Sequence, residues 1–199
     1  MNQKMLLINS SNIQRNLLAK ILSDISGHEL LHNRISNEWG RLYNIEDSSI
    51  DEWENQFLKI SSSFTDWIKQ GYKKRSFISV DAPFSEALSL KSRLKENSVD
   101  LNPHEIMMLK SLLNITGRYT SKNKYVVAHV CNIETKLYDD LSIKFYNRYN
   151  INYKIYDYVG DIRYLVEQII RDFEMPVLQP LEMPICQAKK VLNHKNWKS

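Results

Sequence analysis

The chain reads as an α/β protein, a three-layer fold in which a parallel sheet carries helices on both faces. Three observations predict this. Met5–Ile8, Ser76–Val80 and Tyr125–Val130 are apolar runs too short for helices, and each is followed by apolar residues recurring at three and four. Strand and helix alternate along the chain, the pattern of crossover connections between parallel strands. Only 5 Gly and 5 Pro occur, so regular elements joined by short connections are expected.

Taken in order, Met5–Ile8 is continuously apolar, as in a strand buried on both faces. The helix after it carries Ile13, Leu17, Leu18, Ile21, Leu22 and Ile25, and Gly27 stops it. Glu29–Leu31 is a short second strand. The polar passage from His32 to Ser49, with its Trp39-Gly40 pair, has no assignable element. Ile50, Trp53, Phe57, Ile60, Phe64, Trp67 and Ile68 then form one helical stripe that ends near Gly71, with Ser49 or Asp51 placed to cap it. Ser76–Val80 is a strand closing at Asp81, and a helix follows from Pro83 with Phe84, Ala87, Leu88, Leu90 and Leu94 on one side. Asn102-Pro103 is a second start signal, a capping side chain before a proline at the first helical position. Lys122–Lys124 is a polar turn into Tyr125–Val130. A helix (Ile133, Leu137, Leu141, Phe145), a strand (Tyr153–Tyr156) and a long helix (Ile162 to Phe173) complete the body. The expected organisation is one α/β domain over 1–173, with 174–199 as a docking tail. Pro176, Pro180 and Pro184 keep the first half of that tail extended, and Ile185–Trp197 is long enough for one short basic helix.

Composition narrows the classes. At 199 residues, 43% hydrophobic and 25% charged, the chain has the make-up of one globular domain. The net charge of +4 falls short of the basic footprint of a dedicated nucleic-acid binder. No apolar run reaches the roughly 20 residues of a membrane span and no cleavable signal pattern opens the chain, so a cytoplasmic protein is expected. Cys131 and Cys186 lie far apart, indicating neither a disulfide nor zinc spacing, and His28, His32 and His104 have no ligand spacing either; no metal site is expected.

Four stretches carry a resemblance: KMLLINSSNIQRNLLAKIL (Lys4–Leu22), FISVDAPFSEAL (Phe77–Leu88), YVVAHV (Tyr125–Val130), and the helix, strand and helix running from Ile133 through Tyr156 to Phe173. Their order resembles the P-loop nucleoside and nucleotide kinases. The resemblance implies strand order 2-3-1-4-5 and, in an active member, ATP and magnesium held by a loop of pattern G-x-x-x-x-G-K-[ST]. Here Asn9 stands for the first glycine, Gln14 for the second, Arg15 for the lysine and Asn16 for the hydroxyl residue, with Ser10 and Ser11 in the loop between. Glycines admit close backbone approach to phosphate, the lysine neutralises its charge, and the hydroxyl ligates magnesium; all are replaced. The arginine-bearing lid that the family places after its fourth strand has no room either, since Cys131 and Asn132 alone separate YVVAHV from the next helix.

Two residues have paired readings. Asp81, at a strand's C-terminal end, is either a catalytic base or magnesium partner, or the cap of the helix from Pro83, and capping is favoured. Arg15 is either an anion contact at a helix N-terminus or a solvated surface residue, again with the second favoured. His129, inside an apolar strand, reads as a buried, hydrogen-bonded histidine. The chain is therefore expected to be a catalytically degenerate kinase-like protein, a binding or adaptor subunit with a protein partner or self-association, no cofactor and no membrane contact. One alternative is an active nucleoside or nucleotide kinase using Asp81 and Arg15. The other is a single-stranded nucleic-acid binder stacking bases on Tyr138, Tyr146, Tyr149, Tyr153, Tyr156 and Tyr158.

Overall fold

A computed structural model describes residues 6–9, 15–31, 57–58, 60–62, 64–65, 67–69, 77–80, 82–98, 100–131, 135–158, 160–182 and 184. The order is β1 (Leu6–Asn9), α1 (Arg15–Ser26), β2 (Glu29–Leu31), β3 (Phe77–Ser79), α2 (Ser85–Glu96), α3 (Pro103–Lys122), β4 (Val126–Cys131), α4 (Lys136–Tyr149), β5 (Asn152–Asp157) and α5 (Ile162–Asp172). The described residues between 57 and 69 are helical. Five strands form one parallel sheet in the order β2-β3-β1-β4-β5, as the resemblance implied.

Alternation along the strands divides the core in two. Leu7, Leu31, Phe77 and Val127 face α2, α3, α4 and the 57–69 stretch; Leu6, Ile8, Ile78, Ala128 and Val130 face α1 and α5. Both faces of β1 are therefore covered, which is why its residues are uniformly apolar up to Asn9. Trp67 enters the first layer edge-on to Phe77 and Tyr125, and its indole N–H donates to Ser79 Oγ at 3.0 Å, so its one polar atom is paired in the core.

Local chemistry accounts for the boundaries. Gly27 has φ +68°, the left-handed conformation that ends α1, and α4 ends on Asn150 at φ +52° in the same region. Asn102 caps α3 through His104 N–H and Glu105 N–H, while the Glu105 side chain accepts the Asn102 N–H, a reciprocal capping box. Three expectations shift. The helix expected from Pro83 starts at Ser85, with Phe84 as its cap residue and no side-chain cap bond. The helix expected from Ile133 starts at Lys136. The first strand includes Asn9, pairing it with His129 on β4, because the side-chain amide finds partners there that the polar loop would not supply.

Past α5 the chain turns back along its own body. Leu178 N–H donates to Ile25 O at 2.8 Å and Gln179 Nε2 to Asp24 O at 2.7 Å, both at the end of α1, while Glu182 meets Arg163 in the first turn of α5 at 2.9 Å. Met175 and Leu181 pack against the second layer, yet Val177 and Leu178 remain 60% and 70% exposed. The helix expected over Ile185–Trp197 lies outside the described residues, as do His32 to Ser49. Among the described residues no helix is long and apolar enough to cross a membrane.

Candidate functional site

An open parallel sheet binds its ligand in the crevice beyond the C-terminal ends of its strands. Here β1 ends at Asn9, β4 ends with His129 and Cys131, α2 starts beneath them at Ser85, and α4 brings Tyr138, Asp139, Ser142 and Tyr146 over the top. Tyr138, Ser142 and Tyr146 recur at every fourth position, so they share one face of α4.

These side chains converge on Asn9. Its Oδ1 accepts from Tyr138 O–H at 2.6 Å and from Ser85 O–H at 2.8 Å. Ser85 Oγ itself accepts the Ala82 N–H at 3.1 Å, which leaves its single proton for Asn9 and fixes the orientation of the amide. The Asn9 Nδ2 donates to Tyr146 Oη at 2.5 Å and lies 3.2 Å from His129 Nδ1 and 3.5 Å from Ser142 Oγ. Tyr146 O–H sits 3.0 Å from the same Nδ1, so that nitrogen accepts, and the opposite Nε2–H donates to Asp139 Oδ1 at 3.0 Å. The result is one directed chain from Ser85 and Tyr138 through Asn9, Tyr146 and His129 to Asp139.

Among the described residues this network is buried and its side-chain polar atoms are paired. Asn9 and His129 are 0% exposed, and among the described residues the one buried side-chain polar atom with no partner is His28 Nδ1, which precedes β2 at the opposite edge of the sheet. Burial pushes the Tyr138 hydroxyl up to about 12, against the lowering influence of its bonds to Asn9 and Ser85 and of the Arg15 charge, so it works as a neutral donor. The Tyr146 hydroxyl is also raised well above its ordinary value, chiefly by burial. Cys131, half-buried at the end of β4, has its thiol raised to about 11 by burial first and then by the negative charge of Asp139, Asp157 and Asp140.

The residues singled out from sequence fare unequally. Asn9, the last residue of β1, is the centre of the network. Arg15 opens α1, partly exposed, and its charge lowers the Tyr138 hydroxyl. Asn16 beside it is exposed. Ser10, Ser11, Gln14 and Asp81 lie outside the described residues, and the cap position that Asp81 was expected to fill belongs to Phe84. His129 is buried and hydrogen-bonded as expected. Of the tyrosines read as a stacking surface, Tyr138, Tyr146 and Tyr156 are core residues, while Tyr149, Tyr153 and Tyr158 are partly exposed. Sequence reasoning missed the group His129, Cys131 and Asp139, whose ligand atoms all lie within 4.8 Å of one another. The signal was present in His129-Val130-Cys131, since residues two apart on a strand share a face.

No protein-family model and no curated protein matches this chain. Among solved structures, a deoxyadenosine kinase from M. mycoides with bound dATP covers 86% of this chain and 100% of its own, with a TM-score of 0.60 and 13% identity. An unliganded sugar kinase from Janibacter sp. HTCC2649 covers 88% of this chain and 96% of its own, at 10% identity and a TM-score of 0.40, too loose a likeness to argue from. The first likeness, together with the strand order, establishes a P-loop nucleoside kinase-like fold.

Proposed function

We propose that this chain is a catalytically degenerate member of that fold, a binding or adaptor subunit rather than a phosphotransferase. One observation carries the reading: at the ends of β1 and β4, Asn9, Tyr138, Tyr146 and His129 are buried and their polar groups satisfy one another. A phosphate entering there would have to break buried hydrogen bonds, each break leaving a partner whose desolvation is uncompensated by about 1–3 kcal/mol. The replacement of the loop glycines, lysine and hydroxyl residue by Asn9, Gln14, Arg15 and Asn16 points the same way. Partner contact is assigned to the tail over 174–199, which presents Val177 and Leu178 outward while its backbone is tied to α1.

A second reading, an active or nucleotide-binding kinase, is favoured by Arg15 at the first turn of α1, where a helix N-terminus and a cation together suit an anion. Thermal unfolding separates the two. A ligand at a hundred times its Kd stabilises the folded state by about 2.7 kcal/mol, a rise of roughly 5–10 °C for a chain of this size. The adaptor reading expects no shift with ATP and magnesium, or with dATP or deoxyadenosine at millimolar concentration. A rise of several degrees, followed by phosphoryl transfer to a deoxynucleoside, would overturn it.

Truncation after Phe173 tests the tail. It removes the hydrogen bonds to Ile25 and Asp24 and uncovers part of the second layer, so Tm should fall by about 3–6 °C. An unchanged Tm would mean that residues 174–182 do not hold to the body in solution. Loss of a higher assembly state in the same truncation is the outcome the partner assignment requires.

A further inference from the structure

We propose that His129, Cys131 and Asp139 form a binding site for a divalent cation of borderline softness, for which zinc is the best fit. This is carried by the group at the end of β4, which shares His129 and Asp139 with the buried network and replaces their mutual hydrogen bond by two bonds to the ion. His129 Nε2 and Asp139 Oδ1 are 3.0 Å apart, and the Cys131 sulfur completes a set in which all three ligand atoms lie within 4.8 Å. Ligands bound tetrahedrally to zinc at about 2.0–2.3 Å stand roughly 3.2–3.7 Å from one another, so the nitrogen and oxygen are nearly in place and the sulfur has about 1 Å to travel.

The surroundings fit the same ion. Cys131 and Asp157 are register partners on β4 and β5, which places an acidic residue on the strand next to the thiol. The fourth position falls to water. An imidazole and a sulfur exclude magnesium and calcium, which take oxygen ligands, and suit zinc. On binding, the thiol proton leaves to solvent and the imidazole proton moves from Nε2 to Nδ1. There Tyr146 Oη accepts it at 3.0 Å and the Tyr146 proton turns to Ser142, an outer-shell partner of the kind that orients ligating histidines, while the Asn9 amide N–H that had faced Nδ1 keeps Tyr146 Oη as its acceptor.

Cobalt(II) reports the site directly. Titrated into the chelator-treated full-length chain, it should bind with one-to-one stoichiometry, show tetrahedral d–d bands with thiolate charge transfer, and be displaced by zinc, which should also raise Tm. Cys131→Ser should abolish the charge-transfer band and weaken zinc at least tenfold, whereas Cys186→Ser should retain both. His129 belongs to the buried network and its replacement risks the fold, so the Cys131 variant decides. Failure to bind stoichiometrically, a spectrum unchanged in Cys131→Ser, or one lost in Cys186→Ser would each overturn the assignment.

Discussion

Asn9→Leu should destabilise the protein by about 3–5 kcal/mol, lowering Tm by roughly 10 °C. The leucine is close to asparagine in size, so little cavity forms for water to enter. The Tyr138 and Ser85 hydroxyls both lose their acceptor and Tyr146 loses a donor, each buried and each costing about 1–3 kcal/mol when left unmade. Asn16→Leu, the same change at an exposed position of α1, is the control and should stay within about 0.5 kcal/mol. Chemical denaturation of the two variants checks the difference. A loss below about 1 kcal/mol at Asn9 would mean that water replaces the amide, and the strand ends would then have room for a ligand after all.

The next largest effect is expected at Gly117, in the middle of α3. A Cβ there would lie 2.5–2.8 Å from three ring carbons of Tyr149, so the glycine exists to let α4 close on α3. That ring has little freedom to retreat, because Tyr149 packs on Phe145 at 4.8 Å between centroids and its hydroxyl reaches Asn114 at 3.4 Å. Gly117→Leu improves local helix propensity by nearly 1 kcal/mol, yet overpacking should win and leave a net loss of about 3 kcal/mol. Adding Tyr149→Ala should recover a large part of it, a coupling that a double-mutant cycle measures directly. A stabilised single variant would show that α3 and α4 are less closely packed than this geometry has them.

Most of the fold was legible in the chain because it rests on short-range physics. The apolar runs at Leu6–Ile8, Phe77–Val80 and Val126–Val130, the helical stripes after them, the stop at Gly27 and the Asn102-Pro103 start are each decided within a few residues. Glu105, three positions after Asn102, was readable as the other half of a capping box. The strand order followed from resemblance rather than from any residue pattern.

The site belongs to a different class of information. A polar residue closing an apolar run is punctuation to a sequence reader, and only pairing with β4 and closure by α4 turn Asn9 into a buried hub. Its partners Ser85, Tyr138 and Tyr146 stand 76, 129 and 137 positions away, and no local propensity couples residues so distant. The same holds for the influence of the Arg15 charge on Tyr138, which lies more than a hundred positions away in the chain. What the chain determined by itself was which segments become strands and helices, because backbone propensity and hydrophobic period act locally. What only the tertiary structure decided was which polar side chains share a dry crevice, because a buried donor must find its acceptor wherever the topology brings one.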